Sequence, residues 1–206
     1  MVEFLATFVP AFVAGLAVNF QSAVFGMVGA LLVGLPLALL RNAAGLAGRS
    51  ASVLVGLFRA TPTFVVMFFL VNVLPSSFSL GAFKFAMSPW LAVVLALVIF
   101  GSAYIADNAM APLRELATGS HRLALLFIMG LVRVFFVMVL SSGFGAAVGV
   151  IEATTITVRA VESLPSVADR LILIGVVIAM FTIVFQIIYQ LIDFARRKFA
   201  ARIEVV

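Results

Sequence analysis

The stretch LILIGVVIAMFTIVFQIIYQLI, residues 171–192, decides the fold class, because its 22 residues between Arg170 and Asp193 carry no charge. A helix needs about 20 apolar residues to cross the hydrocarbon core of a bilayer. Further uncharged runs of at least this length separate Glu3 from Arg41, Arg59 from Lys84, and Lys84 from Asp107. The charge pattern therefore predicts a chain that crosses a membrane several times.

The composition of the chain points the same way. Of the 206 residues, 65% are apolar and 10% are charged, and the mean hydropathy is +1.32. A soluble domain averages about 45–50% apolar and about 25% charged residues. The apolar runs show no sustained two-residue alternation, which disfavours a β-barrel. We therefore expect an all-α membrane protein in which residues 1–206 form a single transmembrane domain.

The uncharged runs predict about five transmembrane helices, within 12–40 and at about 53–74, 89–108, 123–140 and 171–192. The first run is too long for one straight crossing. Its helix either tilts strongly or lies along the outer interface near residues 4–18. Small residues recur every four positions in this run and predict a close helix contact, within one subunit or between subunits: Gly26, Ala30 and Gly34.

Positive charge predicts the orientation of the spans, because Lys and Arg concentrate on the cytoplasmic side. With five crossings, one side carries Arg41, Arg49, Arg114, Arg122, Arg196, Arg197, Lys198 and Arg202. The other side carries Lys84, Arg159 and Arg170. We therefore expect the N-terminus outside and the C-terminus in the cytoplasm. On the outer side, the segment from Glu152 to Arg170 either docks a soluble partner or forms a solvated loop.

The sequence lacks the residues that several kinds of chemistry require. It has no cysteine, one histidine (His121) and no G-x-x-x-x-G-K-S/T sequence to cradle ATP phosphates. Basic patches with interleaved aromatic residues, which mark nucleic-acid binding, are also absent from it. We expect no enzyme activity, no metal site, no cofactor and no nucleic-acid partner, with the lipid bilayer as the surrounding medium.

Two arginines fall within the predicted spans, where a charge is costly. Arg133 lines a pathway or meets a partner subunit, or else it reaches the cytoplasmic headgroups from a span that begins later. Arg59 precedes Thr61 and Pro62, and a proline within a helix leaves a backbone carbonyl unpaired. We interpret this break as a candidate gate or pathway. The alternative is an interfacial arginine at the start of a helix.

Four motifs keep the order and nearly the spacing of a known family. Residues 57–65, LFRATPTFV, are similar to F-R-G-T-P with alanine for glycine, and residues 88–92, SPWLA, to S-P-F/W-x-A. Residues 102–107, SAYIAD, resemble A-A-Y-x-A/S-E, and residues 147–152, AVGVIE, resemble S-V-I-G-V-x-E-L. The chain thus resembles the polar amino-acid permeases of ABC importers, over about residues 10–110 and 135–200. The resemblance implies the permease fold of a type I ABC importer.

The cytoplasmic loop departs from that family, whose E-A-A segment forms short coupling helices that press into a groove on the ATPase. Without gaps, Gly119 falls on the glycine of the family's P-K-G, and Ile128 takes the place of the glycine after E-A-A. The positively charged sequence Arg122-Leu123-Ala124 stands at the E-A-A positions. The resemblance therefore implies only residual ATPase contact, at the loop Gly119, Ser120, His121, Arg122, Leu123 and Ala124.

The family's K-D-T-S stretch, near the transported substrate in some members, is replaced by residues 140–143, LSSG. Ser141 and Ser142 remain polar candidates for a pathway there, and Gln21 in the first span is a third. The resemblance implies one transmembrane subunit of an amino-acid importer in the bacterial cytoplasmic (inner) membrane, as the degenerate half of a heterodimer.

The partners that the resemblance implies are a second permease subunit, ABC ATPase subunits and an extracytoplasmic solute-binding protein. The altered loop favours an alternative, which is a non-transporting regulatory or scaffold subunit derived from such a permease. An ion-coupled transporter is disfavoured, because no acidic residue lies deep in a predicted span.

Overall fold

The structure, a computed structural model, describes residues 2–74, 77–80, 83–118 and 122–203. Before the fourth span it contains α1 (Val2–Arg41), α2 (Leu46–Ala60), α3 (Thr63–Val73), strands β1 (Ser77–Leu80) and β2 (Phe83–Ala86), α4 (Pro89–Asn108) and α5 (Met110–Ala117). It continues with α6 (Arg122–Ser142), a 3-10 helix η1 (Gly143–Val148), α7 (Ala153–Ser163) and α8 (Val167–Ile203).

Four stretches of the described residues are long and apolar enough to cross a membrane: Glu3–Arg41, Pro89–Asn108, Leu123–Val148 and Val167–Phe194. A fifth is available if α2 and α3 together form one span, although they are bent by 95°. The prediction of an all-α membrane protein with about five spans is confirmed. The predicted orientation in the membrane stays a prediction.

The second predicted span is where the structure differs most from the sequence reading. We predicted one interrupted span at about 53–74, but α2 begins earlier, at Leu46, and α3 starts after a sharp bend. Pro62 has no backbone N–H and disfavours a helical conformation at Thr61. Thr61 is accordingly extended, with φ −89° and ψ 119°. Its hydroxyl donates a hydrogen bond of 2.7 Å to the Leu57 carbonyl, as expected of a side chain beside a broken helix.

The connections hold more regular structure than the sequence predicted. The segment between the second and third predicted spans contains two antiparallel strands in which Ser77 lies opposite Ala86. The polar segment after η1, for which a partner-docking segment or a solvated loop was expected, contains α7. By contrast, α4 has the predicted bounds. Its Ser88 cap accepts the Leu91 N–H at 3.1 Å, and a proline occupies its first turn.

Helices α1 and α4 approach closely through the small residues of α1. A Cβ added at Gly26 would lie 2.7 Å from the Leu97 Cβ, and one at Gly34 would lie 2.9 Å from the Ser102 carbonyl oxygen. Ala30, between these glycines, is fully buried and faces Gly101. The small-residue seam therefore makes its contact within this chain.

The chain divides into two compact units, Ala6–Ile156 and a smaller one of Met1–Leu5 with Thr157–Val206. In the smaller unit, Arg170 Nε donates to the Leu164 carbonyl at 2.8 Å, which closes the turn before α8. The larger unit contains all of the clusters described below. The expectation of one transmembrane domain over the whole chain stays a prediction.

We predict that Gly34→Ala lowers the thermal unfolding midpoint of the detergent-purified protein. Its methyl group would meet backbone as well as side-chain atoms of α4, and overpacking of this kind costs about 1–3 kcal/mol. Gly56→Ala in α2 is the matched control, because a Cβ there has nothing within 4 Å. An equal loss of stability in the two variants would contradict close α1–α4 packing.

Candidate functional site

An ion cluster lies where α1, α2 and α4 end. The Asp107 carboxylate pairs with Arg41 at 2.5 Å and with Arg59 at 3.4 Å. Arg41 also donates to the Ala106 carbonyl at 3.4 Å, while the Arg59 side chain remains 63% exposed. The sequence predicted Arg59 as a site residue but missed its partner. The signal was present, because Asp107 occupies the acidic position of the S-A-Y-I-A-D motif.

A small apolar core lies next to this ion cluster. Leu37, Ala51, Val55 and Ala106 are buried together, with Phe58 packed against them. The α2 helix is thereby attached to the ends of α1 and α4 just before the break at Pro62. Beyond the break, α3 packs against α4 and η1, with Phe64 edge-on to Phe144 at 5.9 Å between ring centroids. The break thus joins two helices that are each packed on α4.

A second cluster buries a carboxylate beside the middle of α1 and the C-terminal end of α6. Glu152 is 1% exposed and accepts hydrogen bonds from the backbone N–H groups of Thr154 and Thr155, each at 2.9 Å. The Asn19 amide donates to Glu152 at 2.8 Å and to the Ser142 hydroxyl at 2.9 Å. Glu152 therefore caps the N-terminus of α7 and ties it to α1 and α6.

The burial of Glu152 corrects the sequence reading, which placed it in a solvated or partner-docking segment. A buried carboxylate needs donors, and here backbone and side-chain groups supply them. Close approach of the backbone makes this possible, because a Cβ at Gly15 would lie 2.7 Å from the Ala153 nitrogen. Ser142, a pathway candidate, is 2% exposed and donates to the Val139 carbonyl at 2.7 Å. Its hydroxyl is engaged in this cluster in the conformation seen here.

The remaining pathway candidates do not converge on one point. Gln21 is exposed on α1, and Ser141 is half-buried next to the buried Ser142. Arg133 is exposed on α6, and no carboxylate is recorded within ion-pair distance of it in the described part of the chain. Its roles as a pathway or gate residue stay predictions, as do those of Thr61 and Pro62.

The depth of Arg133 follows from its neighbours on α4. Gly130 faces the Tyr104 hydroxyl and Met138 faces Gly101, so Arg133 lies level with residues 101–104. Along the helix axis this is about 5–9 Å from Asp107. Side chains of α6 tilt towards its N-terminus, which is at the same end as Asp107. Arg133 also lies inside the apolar stretch Leu123–Val148, so both interpretations of this arginine stay predictions.

The structure describes only part of the predicted coupling loop. Gly119, Ser120 and His121 lie outside the described residues, and Arg122 begins α6. The Leu123 N–H donates to the Glu115 carboxylate, which fastens α5 to the start of α6. Leu123 also lines a cleft of about 220 Å³ with Tyr104, Pro112 and Phe127, and Ala124 is half-buried.

Within the described residues, no group of three or more His, Cys, Asp or Glu side chains could hold a metal ion. The sites are thus an ion cluster beside a broken helix and a buried capping cluster, in a helical protein with four or five apolar spans. This combination defines a multi-span membrane protein with one sharply broken segment.

Comparison with known proteins gives one solved structure with this fold. The chain is similar to a chain in the crystal structure of an amino acid ABC transporter with histidines, with a TM-score of 0.73 and 19% identity. The alignment covers 94% of this chain and 96% of that one. No family model and no curated protein matches the sequence. At this identity, the likeness establishes the shared fold.

We predict that Glu152→Ala lowers the unfolding midpoint, because one N–H of the Asn19 amide and two part-buried backbone N–H groups of α7 lose their acceptor. Each unsatisfied group costs about 1–3 kcal/mol. Glu162→Ala is the control, since Glu162 is exposed on the same helix. Thermal melts of both detergent-purified variants measure the difference. Equal midpoints would show that Glu152 is not a structural cap.

Proposed function

We propose that this chain is one transmembrane subunit of an ABC-type amino-acid importer in the bacterial cytoplasmic membrane. The observation that carries the proposal is the fold shared with an amino acid ABC transporter over 94% of this chain. The ordered motifs of the sequence support the amino-acid class independently, because they do not depend on the comparison of shapes. In this proposal the N-terminus is outside and the C-terminus is in the cytoplasm.

The proposal gives the Thr61–Pro62 break the role of a hinge. Transport requires the packing of the spans to change, and a ligand or partner can shift that packing only if it contacts the two arrangements differently. Arg59 lies in the last turn of α2, two residues before Thr61, and its ion pair with Asp107 is long and exposed. Arg41 holds the same carboxylate at the shorter distance. Asp107 can therefore stay paired while Arg59 moves.

The ATPase would be a separate subunit, because this sequence has no phosphate-binding loop. Its contact would be at α5 and the start of α6, with Leu123 and the adjoining cleft as the surface. Only residues 118–121 separate these two helices, and the Glu115 carboxylate holds them together. This short connection supports the proposal that the coupling element of this chain is reduced. The second permease subunit of a heterodimer would then supply a complete coupling element. A solute-binding protein would deliver the amino acid from outside.

The same reduced connection favours the second candidate function, a non-transporting regulatory or scaffold subunit. In that case the fold would be kept for assembly in the membrane, and no ATPase would dock. The two candidates differ in what they bind and in whether the break has to move.

Affinity purification of the tagged chain from its native membrane, followed by mass spectrometry, distinguishes the two. We predict recovery of an ABC ATPase and a second permease subunit in amounts comparable with the tagged chain. Recovery of other membrane proteins without either of these subunits would establish the scaffold function instead. A tagged, unrelated multi-span protein from the same membrane controls for carry-over in detergent.

We predict that Arg59→Ala lowers the initial rate of amino-acid uptake several-fold while the amount of assembled complex is unchanged, because the second arginine on Asp107 is lost. Uptake is measured in cells with each labelled amino acid in turn. Arg197→Ala is the control, because Arg197 is exposed and pairs with Asp193 of its own helix. Normal uptake by the Arg59 variant would remove this residue from the transport cycle without affecting the assignment of the fold.

A further inference from the structure

The α2 helix has three distinct faces. Gly48, Ala51 and Val55 are buried against the rest of the chain. At about 100° per residue, Leu46, Val53 and Leu57 share a second face, and they are 80%, 65% and 59% exposed. The third edge holds the exposed side chains Arg49, Ser52 and Arg59. This division into a packed, an apolar and a basic side is typical of a helix that lies in a membrane interface.

The contacts of α2 place the helix at one end of the spans. Ala51 and Val55 share a core with the last turns of α1 and α4, and Arg59 pairs with Asp107 near the end of α4. Ala51 and Arg59 are eight positions apart on α2, yet both lie at the same part of α4, at Ala106 and Asp107. A helix running parallel to α4 would advance about 12 Å over that distance. With the 95° bend to α3, this indicates that α2 runs across the bundle rather than through the bilayer.

A basic groove opens beside α2 at the same level. It has a volume of about 600 Å³ and is lined by Arg41, Arg49, Ser52 and Val53, together with Gly45 and Gly48. Arg114 lies nearby, because it donates to the Asn42 side chain at 2.8 Å. Arginines attract the anionic headgroups of a bilayer surface by about 1 kcal/mol each. The basic edge is suited to bind the phosphate group of a phospholipid, and the apolar face is suited to contact its acyl chains.

We propose that α2 does not cross the membrane but lies in its interface, with the groove at Arg41 and Arg49 holding the phosphate of an anionic phospholipid. The exposed leucines and Val53 then enter the acyl region, and α3 continues into the bundle, where it packs against α4. This inference concerns the membrane contact of the chain alone and does not depend on its function in transport. A second subunit or an ATPase on the same face is the competing occupant, and the experiments below distinguish them.

The depth profile of α2 provides the first test. The chain has no cysteine, so single cysteines carrying a nitroxide can be placed at each position from 46 to 60 in the full-length protein in nanodiscs. Collisions with oxygen and with a water-soluble nickel complex report depth. We predict a shallow profile that repeats about every 3.6 residues, whereas a crossing helix would change depth by about 21 Å from Leu46 to Ala60. A steady change of depth, or water exposure of Leu46, Val53 and Leu57, would overturn the proposal.

Lipid binding provides the second test. Native mass spectrometry of the purified chain with phosphatidylglycerol or phosphatidylcholine should show preferential retention of phosphatidylglycerol. Arg49→Gln should reduce that retention several-fold, Arg49→Lys should largely preserve it, and Arg159→Gln should leave it unchanged. Competition by millimolar inorganic phosphate would show a site for free anions instead. Equal retention of the two lipids by the unaltered chain would also refute the proposal.

Discussion

Lipid provides no hydrogen bonds, so each polar group near the hydrocarbon has to find its partner within the protein. Glu152 meets this requirement with backbone donors and Asn19, and the Thr61 hydroxyl meets it by donating to the Leu57 carbonyl. Asp107 meets it with two arginines at the end of the spans. The partners of Glu152 and Asp107 also connect different helices to one another.

The same requirement explains why the break at Pro62 produces two packed helices rather than a distorted single one. A proline within a continuous span would leave carbonyl groups in lipid. Ending α2 at the interface instead moves these groups to the edge of the bilayer, where water and headgroups can bind them. The apolar face of α2 and its basic edge are the sequence features that such a position requires, and α3 can then turn into the bundle.

The sequence predicted the parts of the fold that depend on local composition. Long uncharged runs gave the spans, Ser88-Pro89 marked the start of α4, and the small residues of α1 marked a close contact. It failed where the outcome depends on residues far apart in the chain. Glu152 reads as a surface charge until α7 is packed beside Gly15 and Asn19, and the partner of Arg59 is 48 positions away. The 95° bend between α2 and α3 was also missed, because Pro62 predicts a break without fixing its angle.

The ion cluster bears on the choice between a transporting subunit and a scaffold. Arg41 alone is enough to keep Asp107 paired, at 2.5 Å and with a partly shielded side chain. An exposed second pair such as Arg59–Asp107 contributes at most about 1 kcal/mol to stability. A static scaffold would gain little from an arginine at this position, immediately before a helix break. If the angle between α2 and α3 changes, Arg59 can separate from Asp107 and pair with it again, while Arg41 keeps Asp107 paired. The placement of Arg59 therefore favours a moving break, and with it the transport function.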